Sequence, residues 1–148
     1  MLIESLKILL NRDLNQLKTK IESYQNENDI CKIQKGITNC VGNLCLHLVG
    51  NLNTYIGAVF GKSNYIRNRA LEFSLNDIPK TELLSKIEVT LVFVENARTS
   101  NSEVELKKEY PLLVFEAKNL TECMLIRLTT HLASHLGQIN YHRRLLVP

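Results

Sequence analysis

The chain has no long hydrophobic run, no paired-cysteine spacing and no strong charge of either sign, and each absence removes a class of function. Nowhere in its 148 residues does an apolar stretch approach the roughly 20 residues that a membrane-spanning helix needs. The opening MLIESLKILLNRDLNQL carries Glu4, Lys7, Arg12 and Asp13 inside its apolar pattern, so it does not read as an export signal. Neither an integral membrane protein nor a secreted one is expected. The four cysteines, Cys31, Cys40, Cys45 and Cys123, include no CxxC, which argues against a zinc ribbon and against a thioredoxin-type redox pair. Reduced thiols in a cytoplasm fit that usage. The formal net charge of +3 is spread among interspersed acids and bases, too mild a bias to argue for nucleic acid.

The composition is that of a globular protein: 45% hydrophobic and 22% charged residues exclude a disordered or fibrous chain. A chain of this length is about one domain's worth, so a single core over residues 1–148 is expected. Residues 2–24 place Ile3, Leu6, Leu10, Leu14, Leu17 and Ile21 at three-and-four spacing, an amphipathic helix. After a polar, turn-rich stretch, Ile37, Val41, Leu44, Leu48, Leu52, Tyr55 and Val59 repeat the spacing and predict a second helix. Gly42, Gly50 and Gly57 lie within it at roughly 1 kcal/mol each relative to alanine, which points to close packing of another helix or to a kink.

Residues 61–78 lack a sustained period and read as a long connection containing at most a short turn of helix. Pro79 suits the first turn of a third helix, along which Leu84, Ile87, Leu91 and Val94 keep helical spacing, although the β-branched run VTLVFV leaves a strand as the alternative. Over 101–118 the alternation at Val104 and Leu106, together with Pro111, argues for a loop or a short strand pair. Asn119 followed by Glu122 resembles an N-cap and its third-position partner, opening a last helix that runs to about Leu145.

The chemistry concentrates in the last helix. Met124, Leu128, His131, His135, Gln138 and His142 share one line of it, beside Leu125, Leu132 and Ile139. Imidazoles at i and i+4 stand ~5–6 Å apart at Cβ and can converge on one ion. His142 lies about 10 Å further along, too far for the same metal, and reads as an exposed or rim residue. The remaining histidine, His47, lies on the line Cys40, Leu44, His47, Asn51, Tyr55 of the second helix, where polar groups interrupt an apolar stripe, and packing that line on the last helix would assemble His47, His131 and His135. Three neutral imidazoles with an open fourth position suit zinc, nickel, copper or iron in a catalytic type of site. Cys45 reads as core packing. Arg67 and Arg69, in the long connection, suit either the carboxylates of a thiol cofactor or pairing with acids such as Glu72. Arg143 and Arg144 complement the dipole at the helix end.

The stretch SHLGQINYHRRLL, with His131 before it and HLVGNLNTYI upstream, resembles the DinB-like (YfiT-like) superfamily over essentially the whole chain. That resemblance implies an all-α, four-helix bundle of DinB/YfiT-like type with a long connection between helices 2 and 3. It implies a metal triad at His47, His131 and His135, with Gly137-Gln138 matching the family's Gly-Gln pair. Where the family often reads HHRGQ, this chain has Ser134-His135-Leu136-Gly137-Gln138 and lacks the second histidine and the arginine. The function implied is a metal-dependent enzyme, a small-thiol S-transferase holding a divalent ion, zinc or nickel, with a low-molecular-weight thiol activated as metal-bound thiolate. Gln138, Tyr55, Arg67 and Arg69 would then border the pocket of a small-molecule substrate, in a homodimer. The alternative is a helical bundle that binds metal or ligand without turnover.

Overall fold

A computed structural model describes residues 1–98 and 102–147. The described chain is helical, with no strand longer than one isolated bridge. The elements are α1 (Leu2–Glu22), a 3-10 turn (Glu27–Cys31), α2 (Val41–Leu52), α3 (Arg69–Ser74), α4 (Lys80–Arg98), α5 (Glu103–Leu106) and α6 (Thr121–Leu146). Helix α2 continues into a π-helical stretch, Asn53–Ala58. No helix of the described residues is long and apolar enough to cross a membrane.

Four longer helices enclose the core: α1 and α2 each pack against both α4 and α6. Every one of them contributes side chains without solvent contact: Leu14, Leu17 and Ile21 from α1, Leu48 and Leu52 from α2, Leu83 and Ile87 from α4, Leu132 and Ile139 from α6. At about 1.5–3 kcal/mol for each large apolar side chain buried, this shared cluster is what holds the helices together. Helix α2, mostly apolar, is buried nearly all round, its Asn43 and His47 included. The periodic residues of α4 form a helix, as the spacing predicts, and the strand alternative fails. Its buried face, Leu83, Ile87, Thr90, Val94 and Ala97, is turned slightly from the predicted line, leaving Leu84 and Leu91 only partly covered.

Three local expectations are corrected. The second helix begins at Val41 rather than near Ile37, because Gly36 takes a left-handed φ of +89° and the Ile37 amide closes a turn onto Gln34, leaving Ile37 exposed. Asn119 does not cap the last helix. Its carbonyl accepts the Tyr110 amide at 2.8 Å and its side-chain amide turns back to Ala117, so Leu120 stands at the cap position. Within 101–118, residue 101 lies outside the described residues, and the rest carries the short helix α5, capped by Ser102 Oγ, where only loop or strand was expected. The strand pair reduces to a single bridge between Glu109 and Leu120.

The long connection 61–78 contains α3, and Asn43 of α2 pins it: the Asn43 side-chain amide donates to the carbonyls of Glu72 at 3.0 Å and Leu75 at 2.8 Å. Gly50 explains how closely it docks. A Cβ at Gly50 would collide with the Glu72 carboxylate and sit 3.2 Å from Arg67 Nε, so the glycine makes room for a buried ion pair rather than for another long helix.

Candidate metal centre

His47 sits one turn before Gly50 on α2, and His131 and His135 are one turn apart on α6, beside its buried stripe of Leu128, Leu132, Leu136 and Ile139. Where these two helices meet, the imidazoles converge. His47 Nε2 and His135 Nε2 each lie 3.1 Å from His131 Nε2, and one ligand atom from each residue falls within 4.8 Å of the others. An imidazole Nε2 either donates one proton or offers one lone pair, so His131 cannot make both contacts as good hydrogen bonds. A single cation can take all three lone pairs. Nitrogens held tetrahedrally at the usual zinc distance of ~2.0–2.1 Å stand about 3.3 Å apart, close to the spacing here.

The tautomers are set from behind. His47 Nδ1 lies 3.1 Å from Glu72 Oε1 and donates to that carboxylate, which leaves Nε2 bare. Glu72 is 5% exposed and is clamped by Arg67, whose Nε donates to Oε2 at 2.7 Å and whose Nη2 donates to Oε1 at 2.8 Å. Arg67 Nη2 also approaches His47 Nδ1 to 3.2 Å, but a guanidinium only donates, so that approach is no bond once Nδ1 carries its proton for Glu72. His135 Nδ1 donates to Gln138 Oε1 at 2.7 Å, again freeing Nε2. His131 Nδ1 is buried without a partner among the described residues.

The electrostatics favour the ligating form. Burial, reinforced by His135, His47 and Arg67, lowers the His131 pKa to about 4. Burial also takes His47 below the ordinary histidine range, although Glu72 pulls it the other way. Both rings are therefore neutral near pH 7, as metal ligation requires.

One side of the cluster opens into a cleft of about 720 Å³ lined by residues that include His47, His131, Tyr55, Arg67, Arg69 and Arg127. The segment carrying Val114 and Phe115 walls it, held by the Glu109–Leu120 bridge and by the Tyr110 hydroxyl, which donates to the Tyr55 carbonyl at 2.7 Å. His135 faces a second cavity of about 340 Å³, shared with Gln138 and His142. Thus Tyr55 and Arg69 reach the same cleft as His47 and His131, Gln138 stands on the other side as the partner of His135, and Arg67 is spent on Glu72 rather than free to grip a ligand. His142 is buried rather than exposed, with Nδ1 2.8 Å from the Tyr24 hydroxyl and Nε2 2.7 Å from the Lys32 carbonyl. Cys45 is core, its thiol pushed up to about 12 by burial.

Sequence reasoning weighed Glu72 only as an acid for a solvated loop; its place behind His47 depends on the space at Gly50. Arg127 went unread although it precedes His131 by four residues, the spacing that links His131 to His135. No family model, curated protein or solved structure matches this chain.

Proposed function

We propose that the chain is a metal-dependent enzyme of DinB/YfiT-like type, in which α1, α2, α4 and α6 form the four-helix bundle and His47, His131 and His135 hold one divalent ion, zinc or nickel. In this reading it moves a small thiol onto an electrophile. The observation that carries it is the convergence of three Nε2 atoms whose Nδ1 sides are, for His47 and His135, already committed to Glu72 and Gln138. A chance cluster of core histidines has no reason to commit two of its Nδ1 atoms so that both Nε2 lone pairs face a third imidazole.

Bound there, the ion would supply the Lewis acidity that makes a thiol or water at its fourth position acidic. The rest falls to the chain. Glu72 and Gln138 hold two ligand rings in orientation, and Arg67 holds Glu72. Met124, Leu128 and Tyr55 line the cleft beside His47 and His131 and exclude water from one flank of the reacting groups.

The deciding experiment is elemental analysis of untagged protein beside its His47→Ala, His131→Ala and His135→Ala variants. Near-stoichiometric metal in the parent, lost in all three and kept in His142→Ala, is the expected outcome. No metal in the parent after reconstitution with zinc and nickel refutes the reading. Turnover of a model electrophile that requires both metal and a low-molecular-weight thiol then separates the enzyme from a protein that binds metal without reaction.

A further inference from the structure

The cleft beside the histidines has a one-sided charge. Among its lining residues are Arg67, Arg69 and Arg127, and not one aspartate or glutamate. Arg67 is neutralised by Glu72, which lies behind it. Arg69, at the start of α3, and Arg127, on α6, are exposed and make no ion pair among the described residues. Two guanidinium groups without an acidic partner among the described residues therefore face one concavity from opposite elements.

Arg127 is also held in place. Its Cζ lies over the Phe115 ring, 4.3 Å from the centroid, so a side chain that would otherwise sample many rotamers is restrained at the cleft wall. Phe115 is itself 44% exposed, a large aromatic surface left open beside a cation. A restrained guanidinium with its donors free is suited to bidentate recognition of a carboxylate or phosphate, at a smaller entropic cost than a loose one. A cavity of about 720 Å³ fits a small organic molecule rather than a polymer.

From this we infer that the cleft selects small organic anions, compounds bearing carboxylate or phosphate groups next to an apolar or aromatic part, with Arg69 and Arg127 as specificity-determining residues and Phe115 as the surface for the apolar part. The inference rests on the proposed function in one respect: it names the substrate class of that same site. The anion is gripped by the chain's own arginines, so selection does not require the ion, and a failure of one reading is distinguishable from a failure of the other.

The test is an NMR titration of the full-length protein, as purified and again after chelation, with phthalate, with phenyl phosphate and with the neutral phthalamide. Phthalate or phenyl phosphate should bind at least tenfold more tightly than phthalamide, shifting the amides of Phe115, Arg127 and Thr130, and should weaken as salt is raised. The tighter of the two names carboxylate or phosphate as the anchor. The Arg69→Ala/Arg127→Ala variant should lose that tenfold advantage with its remaining spectrum and its metal content unchanged. Equal affinity for the charged and neutral probes, shifts confined to other surfaces, or full phthalate affinity in the double variant overturns the inference whatever the metal content proves to be.

Discussion

Replacing Glu72 by glutamine tests the connection between the fold and the histidine cluster at one atom. Glu72 is 5% exposed and accepts from His47 Nδ1 and from two donors of Arg67. Glutamine keeps the shape but removes the charge, and leaves a largely buried guanidinium facing an amide. Removing one partner of a buried ion pair costs about 3–5 kcal/mol; because glutamine can still accept one bond and Arg67 keeps slight solvent contact, about 2–3 kcal/mol is expected. In a chain of this size that lowers the melting temperature by roughly 4–12 °C, measured in chelator so that no ion contributes. Zinc affinity should fall ~10–100-fold, the usual cost of losing the group that orients a ligating imidazole. A second variant, Arg67→Met/Glu72→Leu, separates the two effects. An apolar pair of similar volume avoids the unpaired charge, so melting should return close to that of the parent, while nothing remains to orient His47 and the affinity loss should persist. Parental zinc affinity in this double variant would sink the claim that Glu72 positions His47. An unchanged melting temperature for Glu72→Gln would show that the ion pair is not holding α3 to α2.

Gly50→Ala should destabilise the protein by about 1–2 kcal/mol on urea unfolding, because pushing a methyl into the Glu72 carboxylate outweighs the roughly 1 kcal/mol that alanine contributes in a helix; a gain in stability would place Glu72 elsewhere. Without metal, stability should depend on pH through His131. Its folded pKa near 4 lies below the unfolded value of about 6.5, so the unfolded chain binds more protons between those limits. Stability is then full above about pH 6.5 and falls towards pH 4 by about 2 kcal/mol, allowing for partial exposure; a flat urea midpoint over this window would contradict it. His142→Ala should cost about 1–3 kcal/mol by leaving the buried Tyr24 hydroxyl and Lys32 carbonyl short of a partner, yet leave metal content intact. Maleimide at pH 7 should label Cys31 and Cys123, which are partly exposed, and spare Cys40 and Cys45 until the protein is unfolded; mass spectrometry of peptides reads the difference.

What the sequence conveyed and what it withheld divide along a physical line. Helices α1, α2, α4 and α6 each announce themselves by an apolar period within one segment, and His131 and His135 share a helix face by spacing alone. Their boundaries were less readable where two local preferences competed: Asn119 has the chemistry of a cap, but its carbonyl belongs to a bridge with Tyr110 formed across the preceding loop. Glu72 was least readable. It lies 25 residues from His47 in an aperiodic connection, and it reaches that ring only because Asn43 fixes the carbonyls of Glu72 and Leu75, in and just after α3, while Gly50 offers no side chain to obstruct it. Those two residues are the sequence's trace of the contact, since a buried amide needs partners and a mid-helix glycine needs a reason. The same logic applies to the cleft. In the sequence Arg69 suits either an anionic ligand or a neighbouring acid and Arg127 carries no signal of its own; the two become one recognition surface because the fold sets α3 and α6 around one concavity and lines it with no acid. Spacing within a helix encodes which groups share a face; which groups oppose them is encoded in the small or polar residues that let a second element approach.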